Sequence, residues 1–237
     1  YGEWKDYNAY SDFISSEGVP VFYARVDHVS VPLAKEGTGQ VVVDFTPEPL
    51  TQDVSFVFHI EKTADVVVDS LTAEISGIPS TMELTTGLIL AQKTYKLLFR
   101  PTYAALPSAA DSASAEALRC EASVNIPGIV RSHTEDMVTG PGILQIAIYT
   151  HYDYEEEGTQ RKAAKVFHAG INLYHTLKER KSLQWDEEEN GYRQASRSIT
   201  VEIGSPLNID KDGILNGGST STGLDQWIPG ETFEIEV

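Results

Sequence analysis

The sequence contains most of the residue types that enzymes use, but few of them stand at a spacing that builds a catalytic site. An acyl-transfer enzyme needs a serine or cysteine on a tight turn, with a histidine and a carboxylate beside it. The closest segment, residues 217–221 (Gly-Gly-Ser-Thr-Ser), lacks the final glycine of that pattern. Cys120 is the only cysteine and falls on the apolar side of a predicted strand, so we expect a buried, unreactive thiol. The sequence therefore predicts no catalytic residue and no enzyme.

Metal-binding patterns are also sparse. The six histidines form no His-Glu-x-x-His pair. Asn208, Asp210 and Asp212 precede Gly213 and place oxygen atoms at alternate positions, as the first half of an EF-hand calcium loop does. The twelfth position, where that loop has a bidentate glutamate, is Ser219. Because Asn, Asp and Gly are also typical of turns, we interpret the segment as a turn and expect no metal or other cofactor, with calcium at Asn208, Asp210 and Asp212 as the alternative.

Two acidic runs lie next to turn residues. Residues 155–157 (Glu-Glu-Glu) precede Gly158, and residues 186–189 (Asp-Glu-Glu-Glu) precede Asn190 and Gly191, a dipeptide typical of two-residue hairpin turns. We expect both runs to be exposed hairpin tips whose charge discourages pairing between sheet edges. A pair of catalytic carboxylates from distant strands, as in glycosidases, stays open as an alternative, although no spacing favours it.

Aromatic side chains could give the protein a sugar-binding surface. Trp185 precedes the second acidic run, and Trp227 lies in the polar segment before the C-terminus, so both rings could be exposed and stack on a glycan. Aromatic residues of β-sandwiches more often belong to the core. Glycan binding is therefore the alternative function, with Trp185 and Trp227 as its candidate residues.

The charge of the chain excludes several classes of partner. Its 237 residues include 35 acidic and 18 basic residues, which gives a formal net charge of −17. A surface this negative repels phosphate groups, so we expect neither nucleic acid nor anionic lipid as a partner. The longest apolar run, residues 85–91, is far shorter than the roughly 20 residues that cross a bilayer.

Alternation of apolar and polar residues with a period of two dominates the sequence and predicts β-strands. The clearest run places Leu118, Cys120, Ala122, Val124 and Ile126 on one face of a strand. Further strands are predicted over residues 21–31, 40–45, 54–60, 66–75, 94–99, 144–148, 165–173, 199–203 and 232–237. About ten short strands separated by turn residues predict an all-β protein built as an antiparallel β-sandwich.

Three segments interrupt this pattern. Within residues 1–20, aromatic residues recur every three or four positions, which favours a short amphipathic helix. Residues 104–117 are small and of low complexity, so we expect an exposed loop. Residues 204–232 are rich in Gly, Ser, Thr, Asn and Asp, and they predict a long connection before the last strand.

Three further segments, taken in order along the chain, together indicate a family resemblance. The first is residues 41–50 (Val-Val-Val-Asp-Phe-Thr-Pro-Glu-Pro-Leu), followed by the strand at 54–60. The second is residues 71–80 (Leu-Thr-Ala-Glu-Ile-Ser-Gly-Ile-Pro-Ser), with a Ser-Gly step after a strand. The third is the tail, where a polar loop leads through residues 224–227 (Leu-Asp-Gln-Trp) to an acidic strand. Together they span about residues 20–237, and they resemble the fimbrillin-like lipoproteins of Bacteroidales, which include fimbrial anchor and assembly subunits.

The resemblance implies transthyretin-like β-sandwich domains with Greek-key connections. Residues 36–237 would form the sandwich, and residues 1–35 would be an N-terminal arm, a linker or the remnant of a first β domain. It also implies export to the outer membrane and cell surface, with membrane contact only through a lipid anchor upstream of residue 1. Other fimbrial subunits or surface proteins are the implied partners, and the family offers no catalytic residue to transfer.

Assembly by strand exchange requires a donor strand and a groove that receives it. The candidate strand-exchange segment comprises the last six residues, Thr232, Phe233, Glu234, Ile235, Glu236 and Val237. We therefore predict a non-catalytic surface protein that anchors or assembles fimbriae or mediates adhesion, with a glycan-binding lipoprotein as the alternative. A hydrolase is the third hypothesis, and it would need carboxylates that converge in a cleft.

Overall fold

The computed structural model describes residues 13–14, 21–26, 28–30, 41–106, 115–215 and 227–235. These residues form fifteen strands and one helix, and they include no helix long and apolar enough to cross a membrane. The elements are β1 (Phe13–Ile14), β2 (Phe22–Tyr23), β3 (Glu48–Pro49), β4 (Gln52–Thr63), β5 (Val66–Met82), β6 (Ile89–Phe99), β7 (Thr102–Ala105), β8 (Ala115–Ile126), β9 (Ile143–Glu156), β10 (Thr159–Asn172), α1 (Tyr174–Arg180), β11 (Leu183–Asp186), β12 (Gly191–Gln194), β13 (Ser198–Glu202), β14 (Leu207–Ile209) and β15 (Ile228–Ile235).

Two sheets contain most of the strands. The larger, eight-stranded sheet has the order β11-β12-β6-β5-β9-β10-β15, with β1 on β6. The smaller, five-stranded sheet has the order β13-β4-β8-β7, with β14 on β4. The long strands pair antiparallel, as predicted, but β1 runs parallel to β6, and both β13 and β14 run parallel to β4. The prediction of an all-β, sandwich-like fold is confirmed, with parallel pairing as an unpredicted addition.

The core is one cluster of buried apolar side chains contributed by both sheets. Phe56 and Phe58 of β4 and Leu144 and Ile148 of β9 are fully buried in it. Each such side chain stabilises the fold by about 1.5–3 kcal/mol relative to its exposed state. The predicted face of residues 118–126 also points into this core, although Ala122 is only half-buried.

A buried polar contact ties β4 to the segments that follow α1. The Gln52 amide nitrogen donates to the carbonyl oxygens of Ser182 (3.2 Å) and Ser196 (2.8 Å). In return, the Ser182 hydroxyl donates to Gln52 Oε1 at 2.6 Å and accepts from the backbone N–H of Ile129 at 3.0 Å. Because these buried groups are hydrogen-bonded to one another, the polar side chains are tolerated inside the fold.

Several predicted strands differ from the observed ones. Residues 41–45 form no strand, because Val42 and Phe45 are exposed and face no core. The strand predicted over 21–31 is reduced to β2 among the described residues. The predictions at 66–75, 94–99 and 165–173 fall within the longer strands β5, β6 and β10, although Leu173 lies just beyond β10.

The structure also differs from the predictions for the three segments that interrupt the alternation. The helix predicted within residues 1–20 is wrong at Phe13 and Ile14, because these two residues form β1. Residues 1–12 and 15–20 lie outside the described residues. Strands β7 and β8 occupy the first and last residues of the loop predicted at 104–117, and residues 107–114 lie outside the described residues. The connection predicted at 204–232 contains β14 and the first part of β15. The predicted boundary between residues 35 and 36 lies outside the described residues.

Candidate functional site

The C-terminal strand β15 lies at one edge of the larger sheet. It pairs antiparallel with β10, from Ala164 opposite Ile235 to Gly170 opposite Ile228, with a register shift after Phe167. Within the described residues, no strand pairs with its other side. The strand therefore presents one row of backbone groups that another chain could pair with.

Most of the candidate strand-exchange segment belongs to β15. Thr232, Phe233, Glu234 and Ile235 lie in the strand, which begins earlier than predicted, at Ile228. Glu236 and Val237 lie outside the described residues.

The side chains that the structure describes in β15 contribute little to the core. Thr232 and Glu234 are exposed and Phe233 is half-buried, whereas Val166 and Phe167 of the neighbouring β10 are buried. Removing β15 would therefore break backbone hydrogen bonds while uncovering an apolar strand edge on β10.

One ion pair holds β15 against β10. The Lys165 ammonium lies 3.3 Å from Glu234 Oε1, donates to the backbone carbonyl of Lys211 at 2.7 Å and lies over the Tyr152 ring. Burial on its own lowers the pKa of Lys165, but the contacts with Glu234 and Tyr152 outweigh it and hold the pKa above its usual value. Lys165 therefore stays charged and attracts the acidic strand.

The prediction that Trp227 stacks on a ligand is wrong, because its side chain is only 5% exposed. Its indole N–H donates to the carbonyl of Ser205 at 3.0 Å, and its ring packs edge-on against Phe58 with 5.8 Å between centroids. Trp227 thus belongs to the core, and it anchors the beginning of β15.

Trp185, in contrast, is 46% exposed. It lies on β11, at the opposite edge of the larger sheet, and packs edge-on against Tyr192 with 4.9 Å between ring centroids. The structure therefore does not bring Trp185 and Trp227 together, and only Trp185 stays a candidate for stacking.

The acidic run at 155–157 forms the tip of the β9–β10 hairpin, as predicted. Glu156 pairs with Thr159 across a turn in which Glu157 (φ 52°) and Gly158 (φ 76°) both have positive φ. Two successive residues of positive φ are what a type I′ turn requires, which suits the right-handed twist of the hairpin.

The second acidic run also lies in a hairpin turn, but the predicted two-residue Asn-Gly turn is wrong. Asp186 pairs with Gly191, so four residues form the connection and Asn190 alone supplies the left-handed conformation (φ 51°). The Asp186 carboxylate accepts the backbone N–H groups of Glu188 (3.1 Å) and Glu189 (3.2 Å). The hydrogen bond from Arg193, together with these backbone bonds, holds the pKa of Asp186 below its usual value.

The segment that resembles a calcium loop forms a turn, as we interpreted it. Asn208 lies in β14, and Asp210 Oδ1 accepts the backbone N–H groups of Asp212 (2.7 Å) and Gly213 (2.8 Å). Ser219 lies outside the described residues. Among the residues that the structure describes, no group of three His, Cys, Asp or Glu side chains could hold a metal ion.

The remaining candidates for chemistry are either buried or undescribed. Cys120 is fully buried, as predicted, and burial raises the pKa of its thiol to about 12. The Gly-Gly-Ser-Thr-Ser segment at 217–221 lies outside the described residues.

The structure also forms a groove that no local sequence pattern predicts. It has a volume of about 480 Å³ and lies on the face of the larger sheet that points away from the core. Its residues come from five strands, β5, β6, β9, β10 and β15, which are far apart in the sequence. Register between these strands, rather than spacing along the chain, creates this site.

Comparison of the chain with protein-family models, with curated proteins and with solved structures finds no match. The geometry of β15 and of the sheet face beside it is therefore the basis for a functional proposal.

Proposed function

We propose that this chain is a non-catalytic β-sandwich module of a cell-surface assembly, fimbrial or adhesive, whose subunits exchange β15. One observation carries the proposal: β15 lies at a sheet edge, pairs with β10 alone among the described strands, and has no fully buried side chain among those described in it. Its partners are then other subunits or surface proteins of the same assembly, and it acts at the outer membrane, as the fimbrillin-like resemblance implies.

Strand exchange is favourable only when the incoming strand replaces what the departing strand provided. A β15 strand from a second subunit would offer β10 the same backbone hydrogen bonds and the same partner for Lys165, namely Glu234. Since the two arrangements contain equivalent contacts, the equilibrium depends mainly on subunit concentration and on the barrier to detachment. The exposure of Thr232 and Glu234 lowers that barrier, because few apolar contacts break.

A disulfide between β10 and β15 tests the proposal. Lys165 and Glu234 stand directly opposite each other, at a spacing that suits a disulfide in an antiparallel pair, so we choose Lys165→Cys with Glu234→Cys. We expect the wild-type protein to incorporate a fluorescent peptide of residues 227–237 and to form oligomers at high concentration. The oxidised variant should do neither, and reduction should restore both.

The matched control is the pair Asp153→Cys and Lys162→Cys, two exposed residues that pair within the β9–β10 hairpin. Its disulfide leaves β15 free, so peptide incorporation should continue. The proposal fails if the oxidised β10–β15 variant incorporates the peptide as well as the control does. It also fails if a chain without residues 232–237 keeps both its stability and its assembly.

Glycan binding is the second candidate, and the exposed Trp185 ring beside Tyr192 favours it. Trp185→Ala should abolish binding to a glycan array while leaving peptide incorporation unchanged. Array binding that depends on Trp185, together with failed peptide incorporation, would replace the assembly proposal with this one.

A further inference from the structure

The groove on the outer face of the larger sheet is built from three rows of side chains. Strand register places Leu98, Glu74 and Gln145 in the first row and Thr72, Ala147 and His168 in the second. The third row consists of Tyr149, Val166 and Phe233. These nine residues alternate with core residues along their strands, which explains why they face away from the core.

The walls of the groove are mainly apolar. Leu98 and Tyr149 are more than one-third exposed, Phe233 is half-buried, and Val166 and Ala147 form a buried floor. Concave apolar surfaces with a few polar groups are typical of ligand-binding sites. The edge of the His168 ring packs against Phe233, with 5.6 Å between centroids, and closes the β15 side of the groove.

Glu74 provides a polar group at the side of the groove opposite β15. It is only 3% exposed, and Lys96 binds one of its carboxylate oxygens, Oε1. The second oxygen, Oε2, is buried and has no hydrogen-bond partner among the described residues. Burial raises the pKa of Glu74 above its usual value, against the opposing effect of Lys96. A buried carboxylate oxygen without a donor is costly, so a ligand that donates to it would gain affinity.

We infer that this groove binds a neutral, mainly apolar ring compound that donates one hydrogen bond, from a hydroxyl or N–H group, to Oε2 of Glu74. Lys96 already balances the charge of Glu74, so a cationic ligand would bring a second positive charge beside the ammonium. An anionic ligand would meet the carboxylate itself. A neutral donor with an apolar body fits both the oxygen and the walls.

The inference does not depend on the proposed strand exchange, because the polar group and most of the walls come from β5, β6, β9 and β10. Only Phe233 and Glu234 belong to β15. Ligand binding and peptide incorporation can therefore succeed or fail separately.

Two matched probes test the site, 2-naphthol and 2-methoxynaphthalene, which share a ring system but differ in the hydrogen-bond donor. We expect the full-length wild-type protein to bind 2-naphthol about tenfold more tightly, as one hydrogen bond to a charged group implies. Isothermal titration calorimetry measures the affinities, and saturation-transfer NMR shows which part of the probe contacts the protein.

Paired substitutions separate the hydrogen bond from the shape of the groove. Glu74→Met with Lys96→Met replaces both charges by apolar side chains, a change that buried ion pairs often tolerate. This variant should bind both probes with equal affinity. Ala147→Phe fills the floor and should abolish binding, whereas Leu84→Phe, at an exposed turn residue that does not line the groove, should not.

Several outcomes would overturn the inference. The inference fails if neither probe binds the wild type; equal affinities for the two probes, or binding that survives Ala147→Phe, would also contradict it. A concentration-dependent dimer that Ala147→Phe dissociates would show that a second copy of the chain, rather than a small molecule, covers this face.

Discussion

Cys120 illustrates how a single buried group makes the stability of this protein depend on pH. The thiol lies on the core face of β8, and burial raises its pKa from 9.0 to about 12 because the thiolate would lose its hydration. The thiolate is the reactive form, so the folded protein should resist thiol reagents.

The first prediction concerns alkaline denaturation. Because the folded pKa is above the unfolded one, the folded state keeps a proton that the unfolded state releases between pH 9 and pH 12. The stabilisation is complete below pH 9 and is lost as the pH rises through this window. Relative to Cys120→Ala, the wild type should lose about 1.4 kcal/mol of unfolding free energy per pH unit.

Urea denaturation of both proteins at a series of pH values measures this difference. Any direct effect of alkali on other groups is common to both proteins and cancels. A stability difference that does not change with pH would show that Cys120 titrates normally in the folded state.

At the residue scale, the sequence predicted burial where a residue's own strand determines it, as for Cys120. The sequence did not indicate that Trp227 is buried and Trp185 is exposed, because their environments depend on distant residues. Trp227 is buried by Phe58 and the Ser205 carbonyl, whereas Trp185 meets only its hairpin neighbour Tyr192 among the ring contacts described for it. Glu74 looked like an ordinary polar position of an alternating strand, and only the pairing of five strands makes it the buried acid of a groove.

At the scale of elements, the Ser76-Gly77 step joins β5 to two neighbouring loops. Gly77 has a φ of +90° at a register shift in β5, and a Cβ there would lie 2.5 Å from the Val130 carbonyl oxygen. The Ser76 hydroxyl accepts the backbone N–H of Ile143 at 3.0 Å and donates to the carbonyl of Gly140. The step thus fixes the loop that leads into β9.

The second prediction is that Gly77→Ala destabilises the protein by about 3 kcal/mol, because the new methyl group meets backbone atoms that cannot move aside. Thermal and urea denaturation measure the change. The control is Gly204→Ala, where a Cβ would meet nothing within 4 Å, and we expect a change within about 0.5 kcal/mol. Equal effects of the two substitutions would mean that the step is not a fixed point of the fold.

The long strands were predictable because their alternation is local, but their ends and the helix were not. Helix α1 has only seven residues, and its sequence signals are the buried Leu177 and the basic residues Lys178 and Arg180 in the last turn. Strand β1 consists of two residues whose conformation depends on pairing with β6. Short elements such as these take their structure from neighbours rather than from periodicity.

At the scale of the whole molecule, the net charge of −17 opposes compact folding through mutual repulsion. The third prediction is that sodium chloride, raised from about 20 mM to about 300 mM, screens this repulsion and increases the melting temperature by about 2–4 °C. Differential scanning calorimetry measures the shift. A variant with Glu155→Lys and Glu188→Lys, both at exposed hairpin tips, carries four fewer net negative charges and should respond less. A melting temperature that falls with salt would show that attractive ion pairs outweigh the repulsion.

The order of strands in the two sheets could not be predicted from the sequence, although the sandwich fold could. Alternation identifies which face of a strand is buried, but it does not identify the neighbour on either side. The assignment of β15 to an edge and the parallel pairing of β13 and β14 with β4 both depend on contacts between distant parts of the chain.

The parallel pairing has a consequence for the order of folding. One side of β4 pairs with β8, but its other side is completed only by β13 and β14, with Ser198 opposite Asp53 and Ile209 opposite Lys62. While the chain is synthesised from its N-terminus, that side of β4 stays open until residue 209 arrives. Contacts so distant in sequence form slowly, and an open strand edge invites association. We therefore expect the incomplete chain to associate at this edge unless another protein covers it.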